Sequence, residues 1–205
     1  YINELFKLTN NILNPNNKFL KNEIIKINKL KKRIDLIKKS KLSHIQKIYY
    51  FIDDCKNLGT LPFAGVARCA FISKSILDSL VNKNLLSKNE LEKFYLSIST
   101  VSKEINLKFK RAKKIKNFKE FLNDYGHLRP STYSIVEKNY KDNLFGYFSK
   151  TESTYNNSKI KNKFILNKKK YERINNLFKE KKISINFNQF LKFAKMSIEK
   201  REYLK

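Results

Sequence analysis

The residues best equipped for chemistry fall in one nine-residue stretch, Tyr125-Gly126-His127-Leu128-Arg129-Pro130-Ser131-Thr132-Tyr133. It gathers one of the two histidines, one of the six arginines, one of the three prolines and two tyrosines. An imidazole can move a proton, a guanidinium can clamp a carboxylate or phosphate through paired N–H groups, and a phenol can donate a hydrogen bond. Pro130 fixes its own φ and pushes Arg129 towards extended backbone, so the helix before it must stop here. Gly126 is the expected left-handed residue that closes that helix. The plainer alternative is that Gly-x-x-x-Pro only ends a helix, and that Arg129 and the tyrosines only staple a loop. No carboxylate pattern around His127 marks it as a triad member, although an acid–base role is open to it.

Arg68 stands out for its surroundings. The run Gly59-Thr60-Leu61-Pro62-Phe63-Ala64-Gly65-Val66-Ala67-Arg68-Cys69-Ala70-Phe71-Ile72 is small and apolar, has no lysine and carries this single arginine. Small residues admit a close backbone approach, by another helix or by a ligand. A charge in such a run calls for an anionic partner or several carbonyl acceptors. Two compatible readings stay open: a packed core helix whose Arg68 pairs with an internal Asp53 or Asp54, and a ligand-binding role.

Other chemistries lack their motifs. There is no phosphate-binding G-x-x-x-x-G-K-[ST] loop, no G-x-G-x-x-G after a strand and no H-E-x-x-H. Two histidines and the isolated Cys55 and Cys69 are too few for a zinc site or a disulfide framework, and no metal site is expected. Both cysteines lie in apolar helical patterns and are expected as buried, reduced thiols. The chain reads as something that binds rather than something that reacts.

The net charge of +27 over 205 residues would ordinarily suggest nucleic acid or an anionic membrane. Yet 39 of the 45 basic residues are lysine, spread along almost every helix, whereas readers of phosphate and base edges lean on arginine. Nucleic acid is therefore not the expected partner. No run of about 18 uninterrupted apolar residues occurs and no signal-peptide pattern opens the chain, so a cytoplasmic protein without a membrane partner is expected. The start at Tyr1 and the end inside a charged helical pattern read as a piece excised from a larger protein.

The elements that must position these residues are helical nearly throughout, and the expected fold is a single all-α domain of about six to eight helices with one long irregular loop. Leu20, Ile24, Ile27, Leu30, Ile34 and Ile37 recur at spacings of three and four, giving a helical arm over 1–42. A motif-bearing core covers 43–136. Ser43-x-x-Gln46 is a capping box that opens a helix through Ile45, Ile48, Tyr49 and Ile52, closed by Gly59. Ser87-x-x-Glu90 opens a long helix through Phe94, Ile98, Val101, Ile105 and Phe109. Residues 137–165 read as loop, with scattered aromatics at Phe145, Tyr147 and Phe148 and a mobile tip around Thr151 to Ser158. Closing helices occupy 166–205, at roughly 167–182 and 187–204.

Two of these stretches, Asp53 to Ile72 and Tyr125 to Ile135, resemble the central helical region of phosphoenolpyruvate-synthase-like phosphotransferases. The nearest form is that of the bacterial L-glutamine kinases of capsule phosphoramidate biosynthesis. The closing Ile198-Glu199-Lys200-Arg201-Glu202-Tyr203-Leu204-Lys205 also resembles the point where that region runs on towards a mobile phosphohistidine domain. The resemblance is dense over 43–136 and looser up to 205. It implies a substrate-binding domain between an ATP-grasp nucleotide domain and a swivelling domain whose histidine carries phosphate. Neither of those domains' motifs occurs in this chain, so ATP and Mg are implied only for the full-length enzyme, and the chain alone is expected to be inactive. That enzyme would convert ATP, L-glutamine and water into AMP, phosphate and L-glutamine phosphate. His127 matches the family's His-Leu-Arg-Pro turn and is not the phosphorylated histidine. Ser131 departs from the family's Gly, and Ser takes the φ > 0 of a type II turn less readily, which puts the direction of Tyr133 in question.

The resemblance and the residues together give one expectation. Arg68 and the Arg129 turn meet across a pocket that takes an amino acid, its carboxylate on an arginine, its ammonium on Asp54 or another acid, and its amide on Thr60, Thr132 or Tyr133. Arg68, Arg129 or His127 would stabilise an arriving phosphoryl group. Two alternatives of other classes remain: a Lys-rich helical module binding nucleic acid or an acidic partner, and a structural linker between catalytic domains.

Overall fold

Helices joined by short turns and loops build what the computed structural model describes, which is residues 1–129, 134, 136–148 and 164–204. In chain order they are α1 (Ile2–Leu13), α2 (Phe19–Lys39), α3 (His44–Asp54), α4 (Leu61–Asn82) and α5 (Lys88–Leu96). They continue as α6 (Val101–Ile115), α7 (Lys119–Tyr125), α8 (Leu144–Phe148), α9 (Lys168–Glu180) and α10 (Phe187–Tyr203). No strand occurs among the described residues. With α3 and α4 counted as the one continuous helix they form, eight helices among the described residues have seven residues or more. The all-α expectation is met. The tip around Thr151 to Ser158 lies outside the described residues.

The stop expected at Gly59 is not there. The chain runs on helically from His44 to Asn82, through a π turn at Cys55–Thr60. Pro62 supplies the physical reason. In an α-helix its ring would crowd the carbonyl four residues back and leave that carbonyl without a donor. The π turn inserts one extra residue, and Leu61 N–H donates to the Lys56 carbonyl instead. By length and composition, this long helix contains a window of mean hydropathy 1.2 able to cross a membrane, and 39% of that window is buried inside the protein.

The long helix expected from Ser87 is also broken. The Ser87 capping box forms as read, with Ser87 Oγ accepting from Glu90 N–H. However, Ser97 Oγ donates to the Phe94 carbonyl at 2.6 Å, and Thr100 caps a new helix by accepting from Lys103 N–H. Hydroxyls that satisfy helix-end groups favour ends over interiors. The chain divides into two compact units at this break: Tyr1–Ile98 with Lys163–Lys205, and Ser99–Asn162.

In the first unit α4 is the central helix. On one side α2 packs against it through Leu20, Val66 and Cys69, so the segment read as an arm is part of the core. On another side α10 crosses it. There Ser73 Oγ and Ser197 Oγ meet at 3.1 Å, both fully buried, and each also lies within hydrogen-bonding reach of a carbonyl of its own helix, that of Cys69 for Ser73 and that of Ala194 for Ser197. The largest cluster joins Leu77, Leu80, Phe94, Ile98, Ile174, Phe178, Phe187 and Phe190. Ile45, Ile48, Tyr49 and Ile52 of α3 form the expected helix, but they are exposed rather than buried.

The second unit has an aromatic core of Phe109, Phe121, Tyr140 and Phe148. Phe109 and Phe148 stack at 3.7 Å with planes 6° apart. Tyr140, Leu144 and Phe148 come from the stretch expected to be exposed loop, and all three are buried.

Candidate functional site

Thr60 is the last residue of the π turn, and from there one face of α4 carries Ala64, Ala67, Arg68, Phe71, Ile72 and Ser75 at helical spacing. These residues line a groove of about 720 Å³, with Leu5 and Thr9 of α1 as its opposite lip. That is the size of a small-molecule site. The walls are almost all carbon, and Arg68 is their only charged side chain. Asn10 fixes α1 in place: its Nδ2 donates to the Lys182 carbonyl at 2.9 Å, and its side-chain oxygen accepts from Ser184 N–H.

Arg68 is exposed, and no hydrogen bond or ion pair to a described residue engages its guanidinium. This corrects the expected pairing with Asp53 or Asp54. Asp53 accepts from Asn57 Nδ2 at 2.9 Å. Asp54 is buried towards α2, and both its carboxylate oxygens accept from Arg33 Nε, at 3.2 and 3.0 Å. The internal carboxylate has its arginine, but from α2 rather than from α4. Asp54 therefore does not line the groove. Arg68 needs no internal partner because its face of α4 is open to solvent.

The cysteines part company. Cys69, next to Arg68 in sequence, is fully buried, and burial pushes its thiol up to about 12, partly offset by the Arg68 charge. Cys55 is exposed, contrary to expectation, because the π turn carries it on the outer side. Among the described residues no group of three or more His, Cys, Asp and Glu could hold a metal ion.

In the second unit the His-Leu-Arg turn is held by backbone bonds. Gly126 N–H donates to the Leu122 carbonyl, and Leu128 N–H to that of Tyr125. The Gly126 and Leu128 carbonyls accept from Lys141 and Tyr140 N–H at 3.0 Å each. Gly126 is not left-handed as expected: its φ and ψ are −55° and −29°. The position requires glycine for space, since a Cβ would collide with the Leu122 carbonyl oxygen. Tyr125 donates to Glu104 at 3.0 Å and lies under Lys108 Nζ, 5.2 Å from its ring centroid. Burial, and then that bond to Glu104, raises the phenol above its ordinary value. Arg129 Nε donates to the Glu137 carbonyl at 2.9 Å, which is the stapling role named as the plainer reading. His127 is exposed. Pro130, Ser131, Thr132 and Tyr133 lie outside the described residues.

Of the residues selected from sequence, the structure thus brings Thr60 and Arg68 together on one groove. His127 and Arg129 belong to the other unit. Leu5, Thr9, Ser75 and Ile76 were not picked out, although the three-and-four spacing from Thr60 through Ser75 was there to be read. No protein-family model, curated protein or solved structure matches this chain.

Proposed function

We propose that this chain is the acceptor-binding domain of an ATP-dependent phosphotransferase of the L-glutamine kinase type, with Arg68 holding the acceptor's carboxylate. The observation that carries the reading is the Arg68 guanidinium, unengaged by any described residue, in an apolar groove of small-molecule size that Thr60 also lines. Such a groove takes an aliphatic stem against its walls and fixes orientation with few polar groups, here the guanidinium and the hydroxyls of Thr9, Thr60 and Ser75. A small amino acid with a two-carbon stem fits that pattern, and the resemblance of the two motifs names glutamine. In the second unit Arg129 donates through Nε to the Glu137 carbonyl, and no described residue engages its terminal N–H groups, which can serve an oxyanion. ATP and the phosphate-carrying histidine belong to other domains of the enzyme, and this chain positions the acceptor.

Thermal denaturation across a panel of amino acids, nucleotides and duplex DNA tests the reading. L-Glutamine is expected to raise the melting temperature, and ATP and DNA to leave it unchanged at physiological salt. Tight DNA binding that weakens steeply with salt and ignores Arg68→Ala would instead establish a Lys-rich polyanion binder.

A further inference from the structure

We infer that the acceptor held in the Arg68 groove carries its α-nitrogen as a neutral amide with an apolar acyl chain, and that this chain lies in a second cavity farther along α4. The inference rests on the reading of Arg68 as the carboxylate anchor. Ser75 and Ile76 line both the groove and the second cavity, of about 240 Å³, so the two adjoin. Ile76 lies just over two turns beyond Arg68, about 12 Å along the helix axis. Past it the cavity has carbon walls from Leu80, Leu177, Phe178 and Ile183. Leu80 and Phe178 belong to the main core, which holds them in place. Among the described residues that line this cavity only Lys83 and Lys181 are charged, and both are exposed. Their ammonium groups can stay in water while their stems extend the apolar wall.

Charge selects the class of ligand. None of the described residues that line the two spaces is acidic. The acids close by in sequence are committed elsewhere: Glu4, beside Leu5, is ion-paired to Lys7 at 2.9 Å, and Asp54 is held by Arg33. A free ammonium would therefore find no counter-charge in the groove, only a guanidinium of like sign, and a buried charge without a partner is costly. L-Glutamine must keep its ammonium in water. An acylated nitrogen carries no charge, and its chain can follow the carbon walls past Ile72 and Ile76. A free amino acid also fills only a small part of a groove of about 720 Å³, a size that takes larger ligands. The ligand class is thus an N-acyl amino acid, its carboxylate at Arg68 and its acyl chain across Ser75 and Ile76 into the second cavity.

Isothermal titration of the whole chain with L-glutamine, N-acetyl-L-glutamine and N-decanoyl-L-glutamine provides the test. The decanoyl compound is expected to bind roughly ten- to a hundredfold tighter than the acetyl one, the effect of burying two or three further methylene groups. Ser79 lines the second cavity but not the groove, and it is exposed. Ser79→Trp should therefore remove the difference between the two acyl compounds and leave L-glutamine within about twofold of wild type. Ser79→Phe serves as the second variant if Ser79→Trp fails to fold by circular dichroism. Arg68→Lys should weaken all three ligands. Equal binding of the acetyl and decanoyl compounds, or a difference that survives in the folded Ser79 variant, overturns the inference while the anchor reading stands on L-glutamine and Arg68→Lys. If wild type binds none of the three, or Arg68→Lys binds them all as tightly as wild type, the anchor reading fails and takes this inference with it.

Discussion

Glu23 of α2 fills the space that a side chain at Gly65 of α4 would need. A Cβ there would stand 2.9 Å from Glu23 Cγ and 3.1 Å from its Oε2. Glu23 is itself buried and ion-paired to Lys26 at 2.8 Å, so it has little room to move aside. Gly65→Val is therefore expected to force α2 off α4 and to cost about 1–3 kcal/mol, read as a lower urea midpoint. An unchanged midpoint would mean that Glu23 swings out freely.

Asp54 and Arg33 form a pair of unequal burial, with 8% of the aspartate side chain exposed against 47% of the arginine's. Arg33→Met would strand a buried carboxylate and should cost about 1–3 kcal/mol, at the lower end because the arginine is half in water. Adding Asp54→Leu should restore most of that loss. Neither change should alter ligand affinity per folded molecule, because Asp54 faces α2 and not the groove. Chemical denaturation of the two variants, with a parallel glutamine titration, checks both statements.

Cys69 links stability to alkaline pH. The folded thiol ionises only at about 12, against 9.0 for an unperturbed thiol, so above pH 9 the unfolded chain loses a proton that the folded one keeps. Its contribution is level below that point and falls by up to about 1.4 kcal/mol per pH unit as pH rises towards 12. The half-buried Tyr95 and the buried Tyr140 add to the same fall, since desolvation raises their phenols too. A Cys69→Ala chain should show a shallower decline between pH 9 and 11. At pH 8 one thiol, Cys55, should react promptly with an alkylating reagent and Cys69 only on unfolding.

Much of the fold could be read from local signals. The Ser43 and Ser87 capping boxes both formed, and the periodicities of α2, α9 and α10 gave helices close to the expected bounds. What escaped was non-local. Gly59 and Pro62 look like a stop, and only the π turn, which widens the helix to accept a proline, lets the chain continue. Tyr140, Leu144 and Phe148 have no clean period, so their burial depended on a stack with Phe109 from another helix. Arg68 was legible by residue type, as the one charge in a lysine-free run. Its exposure was not, because sequence does not tell which face of a small-residue helix is covered.

Arg68 is the anchor of the proposed acceptor site, and the most direct measurement is the affinity of the Arg68→Lys chain for L-glutamine beside its melting temperature. The substitution keeps the charge and removes the planar pair of donors. Losing one bidentate charge-assisted contact should cost about 1.5–3 kcal/mol, roughly one to two decades in Kd, with the melting temperature unchanged because the side chain is exposed and makes no bond to a described residue. Wild-type affinity in a folded Arg68→Lys chain would contradict the account and place any acceptor site elsewhere.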